Sequence, residues 1–162
     1  MRVPVNEPVI TNASKRYVQE AVETGWISSA GKYIQQFEEL FAAFIGTKHA
    51  ITTTSGTSAL HLALCALHIG PGDEVILPNI TMGACLDAIL YTGATPVLVD
   101  VEPDTFNIDP REVASHISEK TKAIMAVHLF GHSADMDPIL AIAKEHNIAV
   151  LEDAAEVHGG TY

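Results

Sequence analysis

The stretch Thr53-Thr54-Ser55-Gly56-Thr57-Ser58 joins a short β-like run, residues 50–53, to a strongly apolar helix predicted to extend to residue 67. Gly56 lets the backbone approach a ligand closely, and Thr57 and Ser58 offer hydroxyl and N–H groups. A helix N-terminus of this kind suits a phosphate, while a helix cap that binds nothing explains the residues equally well. The turn matches neither the Walker pattern nor GxGxxG, which disfavours a nucleoside triphosphate or dinucleotide site.

A second stretch, Ile148-Ala149-Val150-Leu151-Glu152-Asp153, is typical of a buried strand that ends in a carboxylate. A carboxylate at that position suits a protonated ring nitrogen, such as the one that pyridoxal phosphate carries. Strand alternation directs Glu152 and Asp153 to opposite sides of a sheet, so they are not expected to act as one pair. A solvated strand end and a magnesium-binding carboxylate of a receiver-type fold are the alternatives.

Strand-like and helix-like segments alternate along the chain, which predicts an α/β fold with a mainly parallel sheet. Parallel strands place their C-terminal ends, and therefore a ligand, along one edge. Asn12, Asp109 and Asp137 are predicted N-caps, the last two followed by proline, and Glu112 is a capping-box partner for Asp109. The predicted strands cover residues 50–53, 74–77, 96–101, 123–128 and 148–151, and the predicted helices 14–22, 34–45, 58–67, 83–91, 110–117 and 138–146.

Composition narrows the class of protein. The 162 residues are 48% hydrophobic and 18% charged, which is typical of a globular domain. A net charge of −11 with nine Lys and Arg residues argues against nucleic acid as a partner. No long apolar run and no signal-peptide core are present, so we expect no membrane partner and a cytoplasmic location.

The cysteines and histidines do not predict a metal site. Cys65 and Cys85 lie in apolar, helix-like contexts without CxxC spacing, which favours structural thiols. The eight histidines come without carboxylate or thiolate partners at the spacing of a zinc site.

Seven stretches, spread nearly from end to end, together resemble the sugar aminotransferases of the DegT/DnrJ/EryC1/StrS family. As an ensemble they are specific to that family. They are residues 25–29 (GWISS), 55–64 (SGTSALHLAL), 70–78 (GPGDEVILP), 91–96 (YTGATP), 127–132 (VHLFGH), 134–139 (ADMDPI) and 152–156 (EDAAE).

The resemblance implies the N-terminal portion of the large domain of a fold-type I aminotransferase that depends on pyridoxal 5'-phosphate. That domain is a three-layer α/β/α structure around a mainly parallel sheet, here incomplete. Residues 1–48 correspond to an N-terminal helical segment and residues 49–162 to the first part of the cofactor-binding large domain. The remainder of the large domain and the small C-terminal domain are absent from the sequence.

The resemblance also implies site residues. Gly56, Thr57 and Ser58 match the turn that binds the cofactor phosphate, and Asp153 matches the partner of the pyridine nitrogen. Glu156 lies where the family places a Gln or Glu near the ring hydroxyl.

Two further sites follow from the same resemblance. Met82 stands where the family usually has an aromatic residue that stacks on the cofactor ring, and a methionine packs there more loosely. Trp26, Ser28 and Ser29 match a loop near the sugar-nucleotide site, although a simple surface turn explains any one of them nearly as well.

No catalytic residue is assigned within the sequence. The family's Schiff-base lysine lies a few tens of residues after the aspartate-containing strand, beyond Tyr162. The six lysines present all precede Asp153 and are typical of solvated helix or loop charges.

The implied activity of the intact protein, a homodimer, is transfer of an amino group from glutamate to a nucleotide-linked 4-keto-6-deoxy sugar. The 162-residue chain alone is expected to be inactive. A dehydratase of the same family, in which histidine replaces the lysine, is the first alternative. A non-catalytic remnant or interaction module is the second, and a receiver-like module fits the sheet but not the pairing of Thr57 with Asp153.

Overall fold

The computed structural model describes residues 7–162, and within that range the chain forms six helices and four strands. They divide between two compact units, one that ends at Thr52 and one from Thr53 to Tyr162. In chain order the elements are α1 Asn12–Glu23, α2 Lys32–Ile45, α3 Gly56–Ala66, β1 Glu74–Pro78, α4 Gly83–Thr92, β2 Thr95–Val99, α5 Pro110–Ser115, β3 Thr121–Val127, α6 Met136–His146 and β4 Ala149–Asp153.

The first unit contains α1 and α2. The predicted cap Asn12 is wrong by one residue, because the Thr11 hydroxyl accepts the Ser14 N–H at 3.1 Å and Asn12 is already helical. Helix α2 ends at Gly46, which adopts the left-handed conformation expected of a C-terminal glycine. No helix among residues 7–162 is both long and apolar enough to cross a membrane.

The second unit is built on a four-stranded sheet in the order β2-β1-β3-β4, with every neighbouring pair parallel. From β1 the chain crosses to β2 on one side of the sheet, and from β3 it crosses to β4 on the other side. The order of connection therefore reverses between these two strands, and the carboxyl ends of strands at such a reversal are the position at which open α/β sheets bind ligands.

Helices cover both faces of this sheet. Leu64 of α3 and Ile89 of α4 pack on one face, against alternate residues of β1 and β3 that include Val75. Val113 of α5 and Ile139 of α6 pack with buried strand residues of the other face. The fold is thus α/β with three layers and a parallel sheet, as predicted.

The predicted strand over residues 50–53 is wrong: the described structure has no strand there. The Thr52 N–H donates instead to a carboxylate oxygen of Glu38 at 2.8 Å, and the Thr52 hydroxyl donates to the same oxygen. The Thr52 N–H is therefore satisfied by a side chain and not by a neighbouring strand.

One of the two predicted Asp-Pro helix starts is confirmed. Asp109 caps α5 by accepting the Arg111 N–H at 2.8 Å, but its own N–H donates to the Asp100 carbonyl, so the capping box with Glu112 does not form. The predicted N-cap Asp137 is wrong, because α6 begins two residues before Pro138, with Asp135 at the N-cap and Asp137 in the first turn.

Candidate functional site

The N-terminus of α3 presents free backbone donors. The Ser55 hydroxyl accepts the Ser58 N–H at 3.2 Å, and the Ser55 carbonyl accepts the Ala59 N–H at 3.0 Å. Among residues 7–162, the N–H groups of Gly56 and Thr57 have no hydrogen-bond acceptor. Two donors at the positive end of an 11-residue helix are therefore available to an anion.

Hydroxyl groups surround these donors. The Ser58 hydroxyl lies 3.1 Å from that of Ser55 and 3.3 Å from that of Thr54. A methyl group added at Gly56 would meet no atom within 4 Å, so the space beside the helix start is open. The turn has the donors and the room that a phosphate requires.

Chain topology directs this turn toward the carboxyl edge of the sheet. Helix α3 packs on the sheet and leads through a short link into β1 at Glu74, an arrangement in which the helix is expected to run antiparallel to the strands, with Gly56 toward their carboxyl ends. Helix α4 follows β1 and begins at the same edge, and α3 packs against α4.

Asp153, the last residue of β4, lies on the face of the sheet that α3 and α4 cover. Ala149 and Leu151 pack with the buried cluster of that face, and alternation places Asp153 on the same side. Its Oδ2 accepts the S–H of Cys85 in α4 at 3.1 Å, and its Oδ1 accepts the Ala155 N–H at 3.1 Å.

Cys85 is fully buried, and the Thr81 hydroxyl donates to its sulfur at 3.1 Å. Burial is the main cause that raises the pKa of the Cys85 thiol to about 12. The thiol therefore keeps its proton at neutral pH and acts as a donor to Asp153.

Glu152 lies on the opposite face, as strand alternation predicts. Its Oε2 is 3.0 Å from Nε2 of His128, a side chain that is 2% exposed. The Ala134 N–H donates to Nδ1 of the same ring at 3.1 Å, so the proton of a neutral His128 resides on Nε2 and is donated to Glu152. This pair braces the loop after β3, on the face of the sheet opposite to the one where the Asp153 carboxylate lies.

Glu156 holds a strained turn that the sequence did not reveal. Its Oε2 accepts the Phe130 N–H at 2.7 Å. Phe130 and Gly131 both have positive φ, and Leu129 and His132 pair across them, which makes a two-residue type I′ turn. The placement of Glu156 near a ring hydroxyl stays a prediction.

The buried side chain of Asn107 holds the same turn through two more hydrogen bonds. Its side-chain oxygen accepts the Leu129 N–H at 3.0 Å and its amide donates to the His132 carbonyl at 3.1 Å. The sequence offers no local signal for this role, since the contacting residues lie more than twenty positions away.

Met82 is the N-cap residue of α4 and is 61% exposed at the carboxyl edge, where its side chain has the freedom to cover a ligand. Within residues 7–162, no three His, Cys, Asp or Glu side chains group in a way that could hold a metal ion.

The predicted substrate residues lie in the first unit, in the loop between α1 and α2. Trp26 is 58% exposed and borders a cavity of about 410 Å³ that Lys32 and Tyr33 also line. Ser28 and Ser29 are exposed in the same loop. The side chains of Lys32 and Tyr33 both donate to the Glu20 carboxylate, which lowers the pKa of that carboxyl.

Solved structures identify the class of protein that has this fold. The aminotransferase from Psychrobacter cryohalolentis matches with a TM-score of 0.92 and 42% identity, over 96% of this chain and 40% of that one. A GDP-4-keto-6-deoxymannose-3-dehydratase with a trapped PLP-glutamate geminal diamine matches with a TM-score of 0.90 and 28% identity, over 99% of this chain and 43% of that one. The chain thus has part of the fold of a pyridoxal phosphate-dependent aminotransferase.

Sequence comparison gives the family. The profile of the DegT/DnrJ/EryC1/StrS aminotransferase family matches residues 8–162, and the chain belongs to this family. GDP-perosamine synthase of Caulobacter vibrioides is 52% identical over 161 residues, which are 99% of this chain and 43% of that protein. The chain therefore spans less than half the length of this relative.

Proposed function

We propose that this chain supplies the first part of a pyridoxal phosphate-dependent sugar-nucleotide aminotransferase. The turn of Gly56, Thr57 and Ser58 binds the cofactor phosphate, and Asp153 binds the protonated ring nitrogen. The proposal rests on one observation: α3, whose first N–H groups are free, packs on the same face of the sheet as the strand that ends in Asp153. Chain topology directs both toward the carboxyl edge.

The residues present fit the chemistry of the cofactor. The N–H groups of Gly56 and Thr57 suit a phosphate, and the Asp153 carboxylate suits a pyridinium N–H. Bound pyridoxal phosphate supplies an electron sink for a substrate carbanion. Asp153 keeps the ring nitrogen protonated, because a nearby negative charge favours the charged form of the ring.

The remaining roles in this proposal come from the resemblance to the family. Met82, exposed at the start of α4, packs against one face of the ring. One oxygen of Glu156 accepts the Phe130 N–H, and the other would face the side of the ring that bears the hydroxyl. Proton transfer at the substrate carbon falls to a lysine from a segment after Asp153, with glutamate as the amino donor.

The substrate of the whole protein is a GDP-linked 4-keto-6-deoxy sugar, and the product is a perosamine-type amino sugar for O-antigen biosynthesis. The 52% identity to GDP-perosamine synthase supports this choice. The loop of Trp26, Ser28 and Ser29 binds the sugar nucleotide, and the protein acts as a cytoplasmic homodimer.

A sugar dehydratase is the second candidate, because a GDP-4-keto-6-deoxymannose-3-dehydratase matches 99% of this chain with a TM-score of 0.90. No site residue named so far separates the two activities, and the resemblance implies that they differ in whether lysine or histidine follows the Asp153 strand. Assay of the full-length protein with the keto sugar and glutamate separates them, because the aminotransferase yields an amino sugar and the dehydratase yields a deoxygenated one.

The binding test uses the full-length protein and pyridoxamine phosphate, which needs no lysine to bind. Asp153→Asn removes the charge that pairs with the ring nitrogen and is expected to weaken binding at least about tenfold. Asp104→Asn is the control, since it removes an exposed carboxylate that is part of no described site. Equal affinity of the Asp153→Asn variant and the parent protein would refute the assignment of Asp153.

A further inference from the structure

The buried thiol of Cys85 contacts the side chain on which the proposed cofactor site depends. We propose that Cys85 is a positioning residue that, together with Thr81, fixes the Asp153 carboxylate in the orientation that receives the ring nitrogen. This inference rests on the proposed function, because it takes Asp153 as the ring partner.

Each oxygen of the Asp153 carboxylate has one donor. The Ala155 N–H holds Oδ1 from the loop after β4, and the Cys85 S–H holds Oδ2 from α4, each at 3.1 Å. With donors on both oxygens the carboxylate cannot rotate freely. Because each oxygen can accept two hydrogen bonds, a lone pair remains for the pyridinium N–H.

The direction of the hydrogen bonds is set by Thr81. Its hydroxyl donates to the Cys85 sulfur at 3.1 Å, which leaves the thiol proton for Asp153. The Cys85 thiol thereby accepts one hydrogen bond, from Thr81, and donates another, to Asp153. We call this chain of hydrogen bonds, from Thr81 through Cys85 to the Asp153 carboxylate, the relay. A hydrogen bond donated to a carboxylate stabilises its charged form, the form that holds a pyridinium.

Burial keeps the Cys85 thiol protonated, which it must be to donate a hydrogen bond to Asp153. Cys85 is fully buried, and its pKa of about 12 means that no thiolate forms beside the Asp153 carboxylate at neutral pH. A serine at this position would donate in the same way, whereas an alanine would fill similar space and donate nothing.

The test compares Cys85→Ser with Cys85→Ala in the full-length protein, by measuring thermal stability and the dissociation constant of pyridoxamine phosphate. Cys85→Ala is expected to weaken binding about tenfold, and Cys85→Ser to stay within about threefold of the parent protein. Cys65→Ala, a change at the exposed cysteine of α3, is expected to leave the dissociation constant unchanged. A structural role alone would predict equal binding losses in the serine and alanine variants, and that result would overturn the proposal.

A double-mutant cycle separates this inference from the proposed function. Cys85→Ala is expected to lose its effect on binding in the Asp153→Asn background, because the relay then has no carboxylate to orient. A full tenfold effect in that background would overturn the positioning role while leaving Asp153 as the ring partner. If Asp153→Asn itself binds as the parent protein does, the proposed function fails and the positioning role fails with it.

Discussion

Gly56 occupies the first helical position of α3, and its N–H is one of the two free donors at the proposed phosphate site. Proline fits the first position of a helix but has no N–H. The preceding residue, Ser55, is extended, as the residue before a proline prefers to be. Gly56→Pro in the full-length protein is therefore expected to keep the thermal stability and weaken pyridoxamine phosphate binding about tenfold, measured by fluorescence titration.

Asn12→Pro is the matched control for this change, since Asn12 is the first helical residue of α1 and no ligand role is proposed for it. It is expected to leave cofactor affinity unchanged. Unaltered affinity in the Gly56→Pro variant would show that the start of α3 does not hold the phosphate.

The two cysteines are expected to react at very different rates with iodoacetamide. Cys65 is exposed, whereas Cys85 is fully buried with a pKa of about 12, and alkylation requires an accessible thiolate. Peptide mass spectrometry of the native full-length protein at pH 8 should find Cys65 modified and Cys85 unmodified until the protein is unfolded. Comparable labelling of both thiols would contradict the buried relay.

Phe130 is held in the left-handed conformation, with φ of 55° and 76% of its side chain exposed. This conformation costs an L-residue roughly 1–2 kcal/mol, part of which glycine avoids. Phe130→Gly is expected to raise the melting temperature of the full-length protein slightly, while Phe130→Ala, which keeps the Cβ, does not. If Phe130→Ala raised the melting temperature more than Phe130→Gly, the exposed ring and not the backbone conformation would be the source of the destabilisation.

At the residue scale, the local sequence pattern alone indicated the turn of residues 56–58 and the acidic residue at the end of β4. Nothing local marks Cys85, whose partner Asp153 lies 68 positions away. That contact depends on how α4 packs across β1 and β3 onto the end of β4, which no spacing within one segment encodes.

At the scale of elements, α5 is a short helix that its N-cap stabilises. The Arg111 side chain, bonded to the Asp109 carboxylate, holds the pKa of Asp109 below its usual range. A lowered pKa in the folded state contributes stability that is present above the unfolded value of about 4 and is lost as the pH falls through the folded value. Asp109→Ala should cost about 1 kcal/mol at pH 7.

The companion variant Asp109→Asn isolates the charge, because asparagine also caps helices. Its stability deficit relative to the parent protein should be present at pH 7 and shrink as the pH falls below about 4, measured by urea unfolding across that range. A deficit that does not change with pH would show that the Asp109 charge contributes nothing.

Periodicity and caps predicted most elements of the second unit, since strands with β-branched residues and helices with regularly spaced apolar residues follow local rules. The prediction failed at residues 50–53, where β-type residues form no strand. A strand needs a neighbour to pair with, and among residues 7–162 none of the paired strands lies beside this segment; its Thr52 N–H bonds to Glu38 instead.

At the scale of the whole molecule, the chain contains the proposed groups for both ends of the cofactor, but the proposed lysine lies after Asp153, outside this sequence. The purified 162-residue chain, given pyridoxal phosphate, glutamate and the keto sugar nucleotide, is expected to show no turnover. The full-length protein serves as the positive control. Sustained amino-sugar formation by the short chain would mean that a residue within it replaces the proposed lysine.

The central claim is that the turn at Thr57 and the carboxylate of Asp153 bind opposite ends of one cofactor. A crystal structure of the full-length protein with pyridoxamine phosphate tests it most directly. We expect the phosphate to accept the N–H groups of Gly56 and Thr57, and the ring nitrogen to lie about 2.7–2.9 Å from an Asp153 oxygen. A ring nitrogen that faces another residue, or a phosphate bound away from the start of α3, would contradict the account.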